Sequence, residues 1–166
     1  MHQHLLRLTL TALLLLAGTA AMAQSAEVSD EWRTQLATAR ELIKVERVAA
    51  ITEEMHFTGE ENAAFWPLYE EYHDEMLVVQ NRYAELIAGY AGKYFDYKLT
   101  DADAKKILSD YFVIKSDLQE IQKGYVSKFE KVMSARKVMR FYQLENKIQA
   151  DIDAALALMI PLADPS

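Results

Sequence analysis

Pro67 is the one proline between Ser29 and Ile160, and the glycines of that span are Gly59, Gly89, Gly92 and Gly124. So long a stretch with so few chain-breakers excludes a turn-rich β-sandwich, and it leaves no glycine-rich loop to cradle a phosphate. Apolar residues recur through it at three- and four-residue intervals, the period of an amphipathic helix. The whole chain has 166 residues, 51% of them hydrophobic, and no Cys. That is one domain of ordinary length, too apolar to be wholly disordered. It has no disulfides, thiolate metal sites or Cys nucleophile.

Residues 1–23 read as an address. A polar start with one fixed cation, Arg7, leads into an apolar run, Leu8 to Ala17, and ends on Ala21-Met22-Ala23. Small residues at the two positions that a signal peptidase reads predict a secretory signal peptide cleaved after Ala23. The apolar run is shorter than the ~20 residues a membrane span needs. The segment holds Arg7 and no acid, so its removal makes the remainder one unit more acidic than the −7 of the whole chain. Export to the periplasm, with such a charge, argues against nucleic acid and ATP as partners. Lack of Cys suits an oxidising compartment, where nothing can mispair.

Residues 24–166 read as a single helical domain with four helices, over about 30–55, 59–95, 101–133 and 135–160. The first starts at a Ser29 cap, with Asp30 and Glu31 in the turn where the helix dipole favours anions. Its stripe is Trp32, Leu36, Ala39, Ile43 and Ala50. Thr58 caps the second, and Glu61 completes a capping box. Pro67 is expected to bend this helix or to push its start later. Thr100 caps the third and Ser134 the fourth. The second helix alone would span about 55 Å, long for a compact bundle. Long helices joined by short loops predict an all-α fold of antiparallel hairpins, extended or curved. A thin hairpin layer cannot bury stripes this rich in aromatics, so self-association or a binding face is expected.

The helix starts share a pattern. Phe57-Thr58-Gly59-Glu60-Glu61, Leu99-Thr100-Asp101-Ala102-Asp103 and Met133-Ser134-Ala135-Arg136-Lys137 each set a hydrophobe before a Thr or Ser cap. Together with the signal peptide, the four long helices and the absence of Cys, this resembles the LTXXQ signature of the Spy/CpxP family of periplasmic stress proteins. The stretch Lys137 to Ile148 looks like that family's fourth-helix motif. The signature's final Gln is replaced by Glu61, Asp103 and Lys137. The resemblance implies a cradle-like homodimer, and one of three roles: ATP-independent chaperone, modulator of an envelope-stress sensor, or metal-responsive variant.

Two groups of residues are candidates for binding unfolded or misfolded envelope proteins, or a sensor kinase's periplasmic domain. The first is aromatic: Trp66 beside Phe65 near Pro67, and Tyr94, Phe95 and Tyr97 around the second loop. Tyr and Trp join an apolar body to a polar handle, which suits reversible capture. The second is basic: Lys128, Lys131, Arg136, Lys137 and Arg140, with Lys147 beyond. Such a run attracts acidic clients, an acidic sensor domain or anionic headgroups.

Metal and catalytic readings are weaker. His56 and His73 each close a Glu-x-x-His, with Glu53 and Glu70, the spacing that di-iron bundles use twice. But His56 falls at a helix end, Glu70 points away from the apolar stripe, and no isolated buried Glu is expected on the core lines of the other helices. Two His are few for zinc, which needs three or four ligands. No nucleophile stands beside a His, and few loops exist on which to build a catalytic site. The expectation is a non-enzyme without cofactor. A zinc-responsive protein, or a structural envelope protein without a client, is the alternative.

Overall fold

The computed structural model describes residues 27–165. Among them are four helices: α1 (Glu27–Met55), α2 (Gly59–Phe95), α3 (Asp101–Phe129) and α4 (Ala135–Met159). They pair as α1·α4 and α2·α3. The predicted signal segment, residues 1–23, and the side chains of Trp32, Leu36 and Ala39 lie outside the described residues.

Local chemistry starts the helices. Thr58 Oγ1 accepts from Glu61 N–H at 3.2 Å, and Glu61 Oε2 accepts from Thr58 N–H at 2.8 Å, a reciprocal capping box that satisfies two orphan donors. Thr100 and Asp103 make the same exchange at the start of α3, at 3.2 Å in both directions. At Ser134 the hydroxyl accepts from Lys137 N–H at 3.4 Å. No return bond forms there, because a Lys ammonium can only donate.

Two helix limits differ from expectation. Ser29 is not the cap of α1. The helix already begins at Glu27, so Ser29 sits within its first turn. α3 ends at Phe129 rather than Met133. Val132 N–H reaches Phe129 O at 3.0 Å and Lys131 N–H reaches Lys128 O at 3.2 Å, the tighter bonds of a terminal turn. That turn carries Met133 inward, where it is buried ahead of the Ser134 cap, as Val138 is behind it. Pro67 does not push the start of α2 later. The helix runs unbroken from Gly59 through it, short of the one bond that Pro67 cannot donate to Ala63.

The chain forms two compact units. In one, α1 packs antiparallel to α4 from Arg140 onward, and Ala50, Ile51, Met55, Phe141, Ile148 and Ala155 are buried. Arg140 ties the end of α1: its Nη2 reaches Glu54 Oε2 at 2.6 Å and its Nε donates to Glu54 O at 2.7 Å. The guanidinium thus fills an orphan carbonyl and sets a cation at the negative helix end.

The other unit is the α2·α3 hairpin with residues 130–139 and the segment from Ile160. Its core is aromatic. Phe65 and Phe129 are fully buried with ring centroids 5.5 Å apart, and Tyr72 meets Tyr125 at 5.3 Å. Phe57 closes over Phe65 at 4.5 Å. Such ring pairs contribute about 0.5–1.5 kcal/mol each beyond the area they bury. Tyr125 O–H donates to Glu75 Oε1 at 2.7 Å. Burial, reinforced by this acceptor, pushes the Tyr125 phenol upward.

Candidate partner-binding surface

The α2·α3 hairpin buries its side chains unevenly. Phe65, Tyr69, Tyr72, Met76 and Val79 are the buried residues of α2, and Ile114, Tyr125 and Phe129 those of α3. From residue 80 round the loop to residue 113 no side chain is fully buried. Two helices alone cannot enclose the apolar residues between them, so Leu86, Ile87, Tyr90 and Ile107 keep part of their surface in water. Ionic straps hold this loop half instead of a core. Arg82 Nη1 meets Asp117 Oδ2 at 2.6 Å, and the Lys93 ammonium donates to Asp103. That donation, with the Thr100 bonds, holds the Asp103 carboxyl down at about 2.

Tyr94, Phe95 and Tyr97 stand at the tip of this hairpin. Tyr94 is half-buried between Tyr90 and Phe95, at 5.9 and 5.3 Å. Phe95 is 62% exposed and Tyr97 97% exposed. Tyr97 also has φ of 55°, the left-handed region where glycine is usual. The backbone bonds explain it. Lys98 N–H reaches Lys93 O at 2.9 Å and Tyr97 N–H reaches Tyr94 O at 3.1 Å, which together form a Schellman ending for α2. Tyrosine occupies the position that this motif reserves for glycine, and no protein group covers its ring.

Trp66 is placed differently. It is half-buried, its Nε1–H donates to Asn62 Oδ1 at 3.0 Å, and its ring packs edge-on against Phe65 and Tyr69. It belongs to the rim of the aromatic core rather than to the tip.

The basic candidates divide. Lys128 lies 3.5 Å from Glu71 and stands over the Tyr125 ring at 3.8 Å. The Lys137 ammonium donates to Glu61, and Arg140 is bound to Glu54. These three cations fasten helices. Lys131 and Arg136 are exposed and form no ion pair among the described residues.

Of the four residues weighed for metal, Glu53 and His56 belong to one unit and Glu70 and His73 to the other. His56 is exposed at the end of α1 with φ of 47°, and Glu53 and Glu70 are exposed. His73 stacks on Tyr69 at 5.8 Å. Among the described residues no group of three or more His, Cys, Asp or Glu is placed to hold a metal ion.

Sequence reading missed one charged group altogether. Glu145 is 4% exposed and Arg47 6%, joined by a bond of 2.6 Å from Nη1 to Oε2 between α4 and α1. The expectation that no isolated Glu is buried on the other helices is therefore wrong. Arg47 Nε and Glu145 Oε1 lack hydrogen-bond partners. Desolvation pushes the Glu145 carboxyl up, against the pull of Arg47. Tyr142, one turn away, is raised to about 12 by burial and by the Glu145 charge.

No protein-family model, curated protein or solved structure matches this chain. No helix among the described residues is long and apolar enough to cross a membrane.

Proposed function

We propose that the protein is an exported, non-catalytic binder of unfolded or misfolded envelope proteins, acting without ATP from the periplasm as a Spy/CpxP-like homodimer. One observation carries this reading. The loop half of the α2·α3 hairpin is aromatic, without a fully buried side chain from residue 80 to 113, and ends in the exposed rings of Phe95 and Tyr97. Transient capture of an unfolded segment needs accessible apolar area, worth about 25 cal/mol per Å² buried. It also needs nearby charge to keep release fast. The tip has both, since Lys93, Asp96, Lys98 and Asp103 surround the rings. The cap pattern at Thr58, Thr100 and Ser134, and the predicted signal peptide, support the family and the compartment.

The test is suppression of aggregation of a reduced or denatured client at stoichiometric amounts, without ATP. Wild type is expected to suppress it, and Phe95→Ser/Tyr97→Ser to lose most of the effect. Absence of suppression at every salt concentration overturns the reading.

A second reading rests on Lys131 and Arg136, exposed cations without ion pairs among the described residues, in an acidic chain. They fit an acidic stress-sensor domain. Reversal of both charges is expected to abolish binding to such a domain while leaving aggregation suppression intact. Reversing Lys137 or Arg140 would confound the test, because both also fasten helices.

A further inference from the structure

The two sides of α3 carry opposite charge. Asp103, Asp110 and Asp117 recur every seventh residue along one flank, and each has a cation within the chain: Lys93, Lys106 and Arg82. Glu120 and Lys128 line one shallow surface with Tyr125. The outward line of the helix is Lys105, Leu108, Phe112, Lys115, Gln119 and Lys123, at three- and four-residue steps. Between Lys105 and Lys123 it contains no acid; Asp101 stands one turn ahead of Lys105 on the same side. Leu108 is 57% exposed and Phe112 62% exposed. Lys105 and Lys123 are exposed and form no ion pair among the described residues. Lys115 is steadied over the Tyr83 and Tyr111 rings, at 5.1 and 5.7 Å from their centroids. In a chain of net charge −7 this is a cationic, apolar-centred line about 27 Å long.

We propose that the outward line of α3 docks on an anionic lipid bilayer, with Leu108 and Phe112 entering the interface and Lys105, Lys115 and Lys123 against the headgroups. Charge complementarity selects an anionic partner. Surface shape selects a flat one. Two concave surfaces of this hairpin lie on its flank, one lined by Arg82, Glu85, Leu86, Asp110, Val113 and Ile114, the other by Glu75, Glu120, Gly124 and Lys128. A peptide helix seeks such a groove. The outward line is the convex side of a single helix. Cations spaced around a short apolar centre are the pattern of helices that lie in a membrane surface rather than cross it. This surface is separate from the Phe95 and Tyr97 tip, and the inference does not depend on client binding.

Flotation of the full chain with phosphatidylcholine vesicles, with and without phosphatidylglycerol, tests it. Wild type is expected to partition onto the anionic vesicles alone, less so as salt rises. Lys105→Glu/Lys123→Glu should weaken that partition at least about tenfold. Phe112→Ser should weaken it about fivefold. These side chains are exposed, so circular dichroism should not change. Residues 1–23 are common to every chain compared and cannot produce a difference between them. Equal partition of wild type onto neutral vesicles, or unchanged partition of the double variant, overturns the proposal. So does preference for soluble polyglutamate over the vesicles, which would make the partner an acidic polypeptide.

Discussion

Lys137 donates its ammonium group to Glu61, the residue that closes the capping box at Thr58. Both are the third residue of a capped helix, α4 for Lys137 and α2 for Glu61. A cation so near a helix start opposes the dipole. Glu61 offsets this, and Lys137 with the Thr58 N–H holds the Glu61 carboxyl below its ordinary range. Glu61→Gln should keep the capping box and lose the ion pair, whereas Glu61→Ala should lose both. Chemical denaturation is expected to rank wild type above Gln above Ala. In a double-mutant cycle, Lys137→Met should add little to Glu61→Gln, because each removes the same pair. Full additivity would show that the two side chains do not act together.

Arg47 and Glu145 form a pair that the fold does not fully satisfy. Removing one partner should be severe: Arg47→Ala is expected to cost about 3–5 kcal/mol by urea unfolding, since it leaves Glu145 buried without its cation. Replacing both, as Arg47→Met/Glu145→Leu, should be neutral or stabilising by about 1–4 kcal/mol. The pH sign follows from the upward shift of Glu145. The folded state holds the proton more tightly than the unfolded chain, so this group lowers stability as pH rises from the unfolded value through the raised one. The double variant should lose that part of the pH dependence. If it is less stable than Arg47→Ala, the pair is not under-satisfied in the way described.

Asp103 behaves in the opposite sense. Its folded value of about 2 lies below the ordinary 3.8. Its stabilisation is therefore present above the unfolded value and is lost as pH falls from about 4 to about 2. Amide exchange at residues 96–104 should accelerate through that window in wild type. In Asp103→Asn it should already be faster at neutral pH and change little on acidification.

Tyr97 bears a conformational cost that its position does not require for stability. Tyr97→Gly should stabilise the protein by about 0.5–1 kcal/mol by thermal unfolding, because glycine relieves the left-handed backbone. The same substitution removes a ring that is 97% exposed, and it should reduce client capture. A variant both less stable and equally active would show that the ring packs within the chain and does not serve capture.

What could be read ahead of the structure was local. The Thr58 and Thr100 caps are written in four consecutive residues each, and a capping box closes within that window whatever surrounds it. The helical period of α2 is equally local, so its stripe is visible from Phe65 to Tyr90. The sites that stayed hidden join distant parts of the chain. Arg47 and Glu145 fall in step with the apolar stripes of their helices, between Ile43 and Ala50 and between Phe141 and Ile148, but a charged residue reads as solvated until its partner, far away in sequence, is known. The basic run from Lys128 to Arg140 reads as a free patch until Glu71, Glu61 and Glu54 are found against three of its members. Tyr97 was singled out for its ring, but a Schellman ending is recognised by glycine, and here the glycine is missing.

Bringing Glu61 to Lys137 also closes a circuit in the chain. The start of α2 and the start of α4 lie side by side, so the polypeptide leaves the hairpin next to where it entered. A segment with adjacent ends can be lifted out as a cassette. Residues 57–139, spliced into a surface loop of an unrelated host, would arrive and depart through neighbouring points and need not pry the host apart.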